Sequence, residues 1–263
     1  MNDSIKDKIL QQIDSRKNEN YDLYSRYINP SFVKLISSVG FARRFVSAQG
    51  TEMIDDKGEC YLDFVSGYGT LNTGHNHPEI VASVRAVMDR NLPSFSQVGC
   101  SLLAGLAAEK LAKFTPDGLD KIYFCNSGSE AVDAAVKLAR VATNRRRIIC
   151  FDGAFHGGTL GVLALTDNPP RRDRFRPLIP GVVRLPLNDV NLLEDTLRRK
   201  DCAAVVIECV LGEGGAVVPD PDFLRSVEKL CRAHGALLVA DEVQTGLGRT
   251  GRFFSFEHTG ISP

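Results

Sequence analysis

The chain has 263 residues and no net formal charge, with 32 basic and 32 acidic residues. That balance argues against a nucleic-acid or other polyanion surface, and 43% hydrophobic content is ordinary for a soluble globular chain. No apolar run approaches the ~20 residues of a membrane span. The first residues, Met1 to Lys8, are polar and carry no signal-peptide core, so a cytoplasmic location is expected. The seven cysteines are widely spaced and include no Cys-x-x-Cys pair. Neither a zinc site nor a disulfide framework is expected, and most of the cysteines read as core residues.

In chain order, residues 1–30 are polar with patches of helical spacing and read as an arm or surface helix. Residues 45–65 alternate and break at Asp55-Asp56-Lys57-Gly58, a turn signal between two short strands. Residues 66–78 are rich in Gly, Asn and His and read as an irregular loop of the kind that is often functional. Within it, His75 and His77 stand two apart, which favours turn hydrogen bonds over metal ligation. Pro78 opens a helix to about Arg90, and Ser101 to Phe114 is a second helix with Leu102, Leu106, Ala107 and Leu111 on one face. A strand is predicted at Lys121–Cys125, followed by a periodic helix through Ala142. Further strands read at Arg147–Phe151, Val182–Leu185, Ala203–Glu208 and Ala236–Ala240, and helices at Val190–Lys200 and Pro221–His234. This alternation predicts an α/β fold with a mostly parallel, doubly wound sheet. Residues 1–60 are expected to form an amino-terminal arm and small-domain segment, and residues 61–263 part of a large domain.

Chemistry concentrates at strand ends. Asp241 closes the apolar run Ala236 to Ala240, at the carboxyl edge where open α/β sheets bind ligands. A desolvated carboxylate there wants a cationic partner, such as a protonated ring nitrogen, a metal or an Arg; an acidic strand end or helix cap is the plainer alternative. Asn126-Ser127-Gly128-Ser129 lies between a strand and a helix amino terminus, which suits an anion. A simple Ser cap explains the same residues. Phe155 and His156, flanked by glycines, would put a flat ring at the same edge. Glu208 ends another strand, and Glu213 follows in a Gly-rich loop. Together these features describe a pocket for a flat, phosphorylated, basic heteroaromatic. Gly246-Leu247-Gly248-Arg249-Thr250-Gly251 matches a dinucleotide fingerprint literally, but no helix opens after it and Arg252–Phe256 reads as extended. Its glycines read as turn formers.

The motifs Gly67-Tyr68-Gly69 to Gly74-His75-Asn76-His77-Pro78, Asn126-Ser127-Gly128-Ser129-Glu130, Gly153-Ala154-Phe155-His156-Gly157, Glu208 with Gly212-Glu213-Gly214-Gly215, and Asp241-Glu242-Val243-Gln244 run in that order. Jointly they resemble the class III (ω-type, ornithine- and putrescine-like) aminotransferases. The resemblance implies the type I fold of pyridoxal 5′-phosphate (PLP) enzymes and a homodimer. It implies amino transfer from a primary amine (a diamine, ω-amino acid or amino acid) to an oxo acid such as 2-oxoglutarate or pyruvate. By the same resemblance Asp241 pairs with the pyridinium nitrogen, Val243 packs under the ring and Gln244 reaches its hydroxyl. Ser127, Gly128 and Ser129 hold the phosphate. Phe155, beside His156, stacks on the ring, Tyr68 and Glu213 stand on the substrate side, and Glu208 lies behind them.

The family's chemistry needs a lysine that follows the Asp on a later strand, and no lysine follows Lys229 here. The sequence is therefore expected to be the front part of such an enzyme, with the carboxy-terminal part missing. A catalytically inactive PLP-binding fragment and a related aminomutase or decarboxylase are the alternatives. Gly158 stands where ornithine and acetylornithine types carry an Arg for the substrate carboxylate, which fits a diamine or ω-amine better. Cys209 and Leu211 stand where Pro and Gln are usual.

Overall fold

The computed structural model describes residues 4–93 and 99–263. The chain forms two compact units, Met1–Gly67 with Thr73–Leu92 and Tyr68–Asn72 with Pro93–Pro263. No helix among the described residues is long and apolar enough to cross a membrane.

The first unit begins with helices α1 (Ile5–Arg16), α2 (Asn20–Tyr27) and α3 (Pro30–Ser38), none of which buries a residue. Ser4 caps α1 by accepting the Asp7 amide at 3.2 Å, and Asn29 caps α3 by accepting the Phe32 amide at 3.0 Å. Strands β1 (Phe45–Gln49), β2 (Glu52–Asp55) and β3 (Cys60–Leu62) then form an antiparallel sheet in that order. The sequence predicts two strands here. The third arises because the chain reverses at Gly50, whose φ of +57° suits glycine. The turn after β2 is tied by Asp55, whose Oδ1 accepts the amides of Lys57 and Glu59, both at 2.9 Å. The loop that follows is not wholly irregular, because it opens with one helical turn, α4 (Ser66–Gly69), whose φ values run from +50° to +88°. His75 fastens this region. Its Nε2 lies 2.9 Å from Asp63 Oδ2, and its backbone exchanges two hydrogen bonds with Gly50. Helix α5 (Pro78–Met88) closes the unit, with proline in its first turn.

The second unit carries the sheet. Helix α6 (Leu102–Ala112) is capped by Ser101, and the apolar face predicted from its spacing is largely exposed, with Leu102 71% and Leu106 51% accessible. The strand predicted at Lys121–Cys125 does not form; these residues pair with no described strand. Local β propensity cannot make a strand without a ladder partner. Helix α7 (Gly128–Thr143) comes next, then β4 (Arg147–Phe151), the short α8 (Leu160–Leu163) and α9 (Pro169–Arg172), β5 (Val182–Leu185), α10 (Val190–Leu197), β6 (Cys202–Ile207), α11 (Pro221–His234) and β7 (Leu237–Ala240). The four strands pair in parallel in the order β5-β4-β6-β7. Residues Arg252–Phe254, predicted as extended, form bends, and a 3₁₀ turn covers Ser255–His258.

Helices cover both faces of this sheet, which is why its strands are mostly apolar. Ile149, Phe151, Val205 and Ile207 pack with α10 and α11 in one core, while Ile148, Cys150, Ala204 and Val206 pack with Val132, Val136 and Ala139 of α7 in the other. The two-residue period of a strand sorts these neighbours to opposite faces. Four of the seven cysteines lie in this interior. Burial pushes the thiols of Cys150 and Cys202 up to about 11, as expected of inert core residues.

Candidate active site

The order β5-β4-β6-β7 contains a switch point. After β4 the chain turns one way to β5, and after β6 it turns the other way to β7. The crevice beyond the carboxyl ends of β4 and β6 is where such sheets bind ligands. The segment after β4 carries Phe155 and His156, and the segment after β6 carries Glu208 and Gly212. A hydrogen bond joins them, from the Phe155 amide to Glu208 Oε1 at 2.8 Å. Glu208 Oε2 accepts the Gly212 amide at 3.3 Å, so one buried carboxylate holds both loops.

Asp241 follows β7 and is 7% exposed. Its Oδ2 lies 2.7 Å from His156 Nδ1, and its Oδ1 accepts the Val243 amide at 3.1 Å. His156 is itself held from behind. Its amide donates to Thr166 Oγ1 at 3.0 Å, and that hydroxyl donates to the Gly157 carbonyl at 2.9 Å. The other ring nitrogen, Nε2, is buried and has no partner among the described residues. Of the plainer alternatives for Asp241, it does stand at a strand end, and it caps no helix among the described residues. Each carboxylate oxygen keeps a second lone pair for a further donor.

The start of α7 closes the other side. Ser127 is the cap, its Oγ accepting the Glu130 amide at 3.2 Å, while Glu130 reaches back to the Asn126 amide at 2.7 Å. The amides of Gly128 and Ser129 meet no protein acceptor among the described residues. Ser129 Oγ accepts the Gly158 amide at 3.1 Å, which ties the helix to the Phe155 loop. Gly128 sits against Val243, because a Cβ there would stand 2.5 Å from Val243 Cγ1. Ser127 is therefore the simple cap, and it leaves two free amides on the next two residues at the positive end of the helix dipole.

Gln244 lies over Gly212, where a Cβ would come within 1.4 Å of Gln244 Oε1. Its Nε2 donates to the Tyr68 carbonyl at 3.4 Å. Tyr68 itself is 75% exposed and Phe155 36% exposed, so both rings have a free face. The structure thus links Ser127, Gly128, Ser129, Phe155, His156, Glu208, Asp241, Val243, Gln244 and Tyr68 around one edge. Glu213 is exposed in the loop after β6 and makes no hydrogen bond to these residues.

Three contributors are not evident from the sequence pattern. Glu242 accepts the Thr245 hydroxyl at 2.6 Å and the amides of Ser255 and Phe256 at 3.0 and 2.9 Å, which folds the chain after Asp241 back on itself. Asn72 donates to the carbonyls of Gly246 and Leu247. Asp167 accepts the Gly153 amide at 2.9 Å and fixes the start of the Phe155 loop. Only the long-range contacts reveal them. Gly248 and Gly251 have φ near +90°, with open space around them, and are turn formers as read from the sequence.

Two expectations follow from these contacts. Burial raises the Glu208 carboxyl above 4.5, reinforced by Asp241 and opposed by the Phe155 and Gly212 amides and by His156. The native state then keeps this proton to higher pH than the unfolded chain. Stability falls as pH rises from about 4.5 through the raised native value. Glu208→Gln should flatten that slope in denaturant titrations from about pH 4 to about pH 8; an unchanged slope would show that another group causes it. Gly212→Ala should push the flexible Gln244 side chain away while changing stability by less than about 0.5 kcal/mol. The expected signature is PLP affinity weakened about tenfold with an unshifted melting curve.

Comparisons with known proteins identify the family of the chain. A family model described as Aminotransferase class-III matches residues 38–263, so the chain belongs to the class III aminotransferases, a PLP-dependent family of fold type I. Among curated relatives, the aminotransferase PigE of a Serratia species is 40% identical over 98% of the chain and 30% of its own length. The acetylornithine aminotransferase of Methanopyrus kandleri is 42% identical over 85% of the chain and 57% of its own length. The putrescine aminotransferase of Pectobacterium atrosepticum is 39% identical over 91% and 54%. Among solved structures, the ornithine aminotransferase of Toxoplasma gondii ME49 superposes with a TM-score of 0.84 at 26% identity, over 99% of this chain and 62% of that one. An (S)-enantioselective ω-transaminase from Thermomicrobium roseum gives 0.80 at 29% identity, over 88% and 57%. The chain thus spans between 30% and 57% of the length of these curated relatives.

Proposed function

We propose that these residues form the cofactor half of a PLP-dependent transaminase acting on a primary amine and an oxo acid. The observation that carries this reading is the buried Asp241–His156 pair at 2.7 Å, set beside the free amides that begin α7. The residues fit the cofactor. Asp241 keeps lone pairs for a protonated ring nitrogen, Gly128 brings the helix start against Val243, and the amides of Gly128 and Ser129 suit a phosphate. When bound, PLP supplies an electron sink for the pair released as a bond at the amine carbon breaks. Asp241 would hold the ring-nitrogen proton, His156 would orient Asp241, Phe155 and Val243 would pack on the two ring faces, and Gln244 would reach the ring hydroxyl. Tyr68 and Glu213 would stand towards the substrate.

The absence of any lysine after Lys229, which lies in α11, favours a second reading for the 263 residues taken alone. They bind PLP without a covalent link and turn nothing over. Gly158 favours a diamine or ω-amine over an α-amino acid as substrate, in line with the putrescine aminotransferase relative. The exposed apolar face of α6 suits assembly as a homodimer.

PLP titration followed by borohydride treatment tests these points. The expected result is saturable binding that dialysis reverses even after borohydride. A permanent mass increase of one cofactor would overturn the non-covalent reading, and absence of binding would overturn the cofactor site itself. Turnover of putrescine with 2-oxoglutarate or pyruvate by this chain alone would sink the inactive reading.

A further inference from the structure

A cavity of about 710 Å³ opens at the opposite edge of the parallel sheet from Asp241, between the end of α7 and the residues that enter β4 and β5. An adjoining cleft of about 500 Å³ shares Arg145 and Arg146 with it and adds Arg147 and Lys200. With Arg140, five cationic side chains border the two clefts. The carboxylate among the lining residues, Asp201, is taken by Arg147 at 2.9 Å. In a chain of zero net charge this local excess is a departure that composition hides.

Two of the guanidiniums are held in place by neutral groups. Arg140 donates to the carbonyls of Arg146 and Pro180, both at 2.9 Å. Arg145 donates from Nη1 to the carbonyls of Cys202, His234 and Gly235 at 3.1, 2.8 and 2.8 Å. Carbonyls fix the planes but leave the charge uncancelled. Arg146 and Lys200 are exposed and form no ion pair among the described residues. A concave site with fixed, like-signed charges focuses the field on an anion, and guanidinium forks match phosphoryl oxygens. The cavity lies within the range of about 300–1,000 Å³ typical of small-molecule sites. We propose that this cleft binds a small anion carrying at least two phosphoryl groups. A single phosphoryl group would leave most of the positive charge unmatched.

The test is calorimetric titration of the purified chain with inorganic pyrophosphate and with orthophosphate, with and without saturating PLP, at low and high salt. The expected result is one equivalent of pyrophosphate, bound about tenfold or more tightly than orthophosphate and weakened by salt. The double variant Arg146→Ala/Lys200→Ala should lose at least about tenfold in that affinity, with its melting temperature and PLP affinity unchanged. No saturable binding, or equal binding by the variant, would overturn the proposal. Tighter binding of a double-stranded oligonucleotide would overturn it in favour of a nucleic-acid surface.

Discussion

Gly157→Ala destabilises the second unit by about 3–5 kcal/mol and loosens the site with it. Two effects add. The φ of Gly157 is +123°, in a region an L side chain rarely adopts. The new methyl would also stand 2.3 Å from Ser129 Oγ and 2.9 Å from Ser129 Cα. Ser129 cannot retreat cheaply, because its hydroxyl accepts the Gly158 amide at 3.1 Å and its backbone is the second residue of α7. Relief therefore separates the Phe155 loop from the helix start. Equilibrium urea unfolding with an intrinsic probe measures the loss. Gly158→Ala is the control, since its Cβ would meet only Arg171 Nη2 at 3.9 Å, and it should change stability by less than about 0.5 kcal/mol. Equal midpoints for the two variants would mean that the loop does not bear on the helix as described.

Asp241→Ala is the second large effect. It removes both acceptors that the structure uses, one for His156 and one for the Val243 amide. The His156 side chain is fully buried, and its Nε2 has no partner among the described residues, so the ring would lose its remaining hydrogen bond there. The cost is about 3 kcal/mol of stability. Asp241→Asn separates structure from charge. Its amide oxygen can still accept one of the two bonds, so its cost should be nearer 1 kcal/mol. It cannot supply the negative charge that a protonated ring nitrogen needs. A ligand that binds the native state raises stability in proportion to the logarithm of its concentration over Kd. The wild-type chain should therefore gain stability with added PLP, and Asp241→Asn should gain much less. Equal gains would show that Asp241 is not the ring-nitrogen partner.

These variants show where sequence and tertiary structure divide the work. Helices α7 and α11 and strands β4 to β7 are legible in the sequence because their signals are local. A 3.6-residue or two-residue period is written in neighbouring positions, and the caps Ser101 and Ser127 lie one residue before their helices. The carboxyl edge follows from parallel strands alone, so Asp241, Phe155 and Glu208 can be placed there before any coordinate is known. A strand is different, because it exists only with a partner. Lys121–Cys125 has strand composition and no strand, and β1 becomes separate from β2 only through the reversal at Gly50.

The site's internal contacts are likewise beyond sequence. The sequence leaves open which groups meet Asp241; the fold brings His156, 85 positions away, within 2.7 Å. Gly128 and Gly212 look like ordinary loop glycines until Val243 and Gln244 occupy the space their side chains would need. The run Arg145–Arg147 is visible in the sequence, but its convergence with Arg140 and Lys200 depends on strand order. The periodic elements, the sheet class and the motifs at its carboxyl edge can be read from the chain alone, because those depend on near neighbours and strand direction. Which side chains meet is set by the fold, because close packing and buried hydrogen bonds depend on which distant segments share a face.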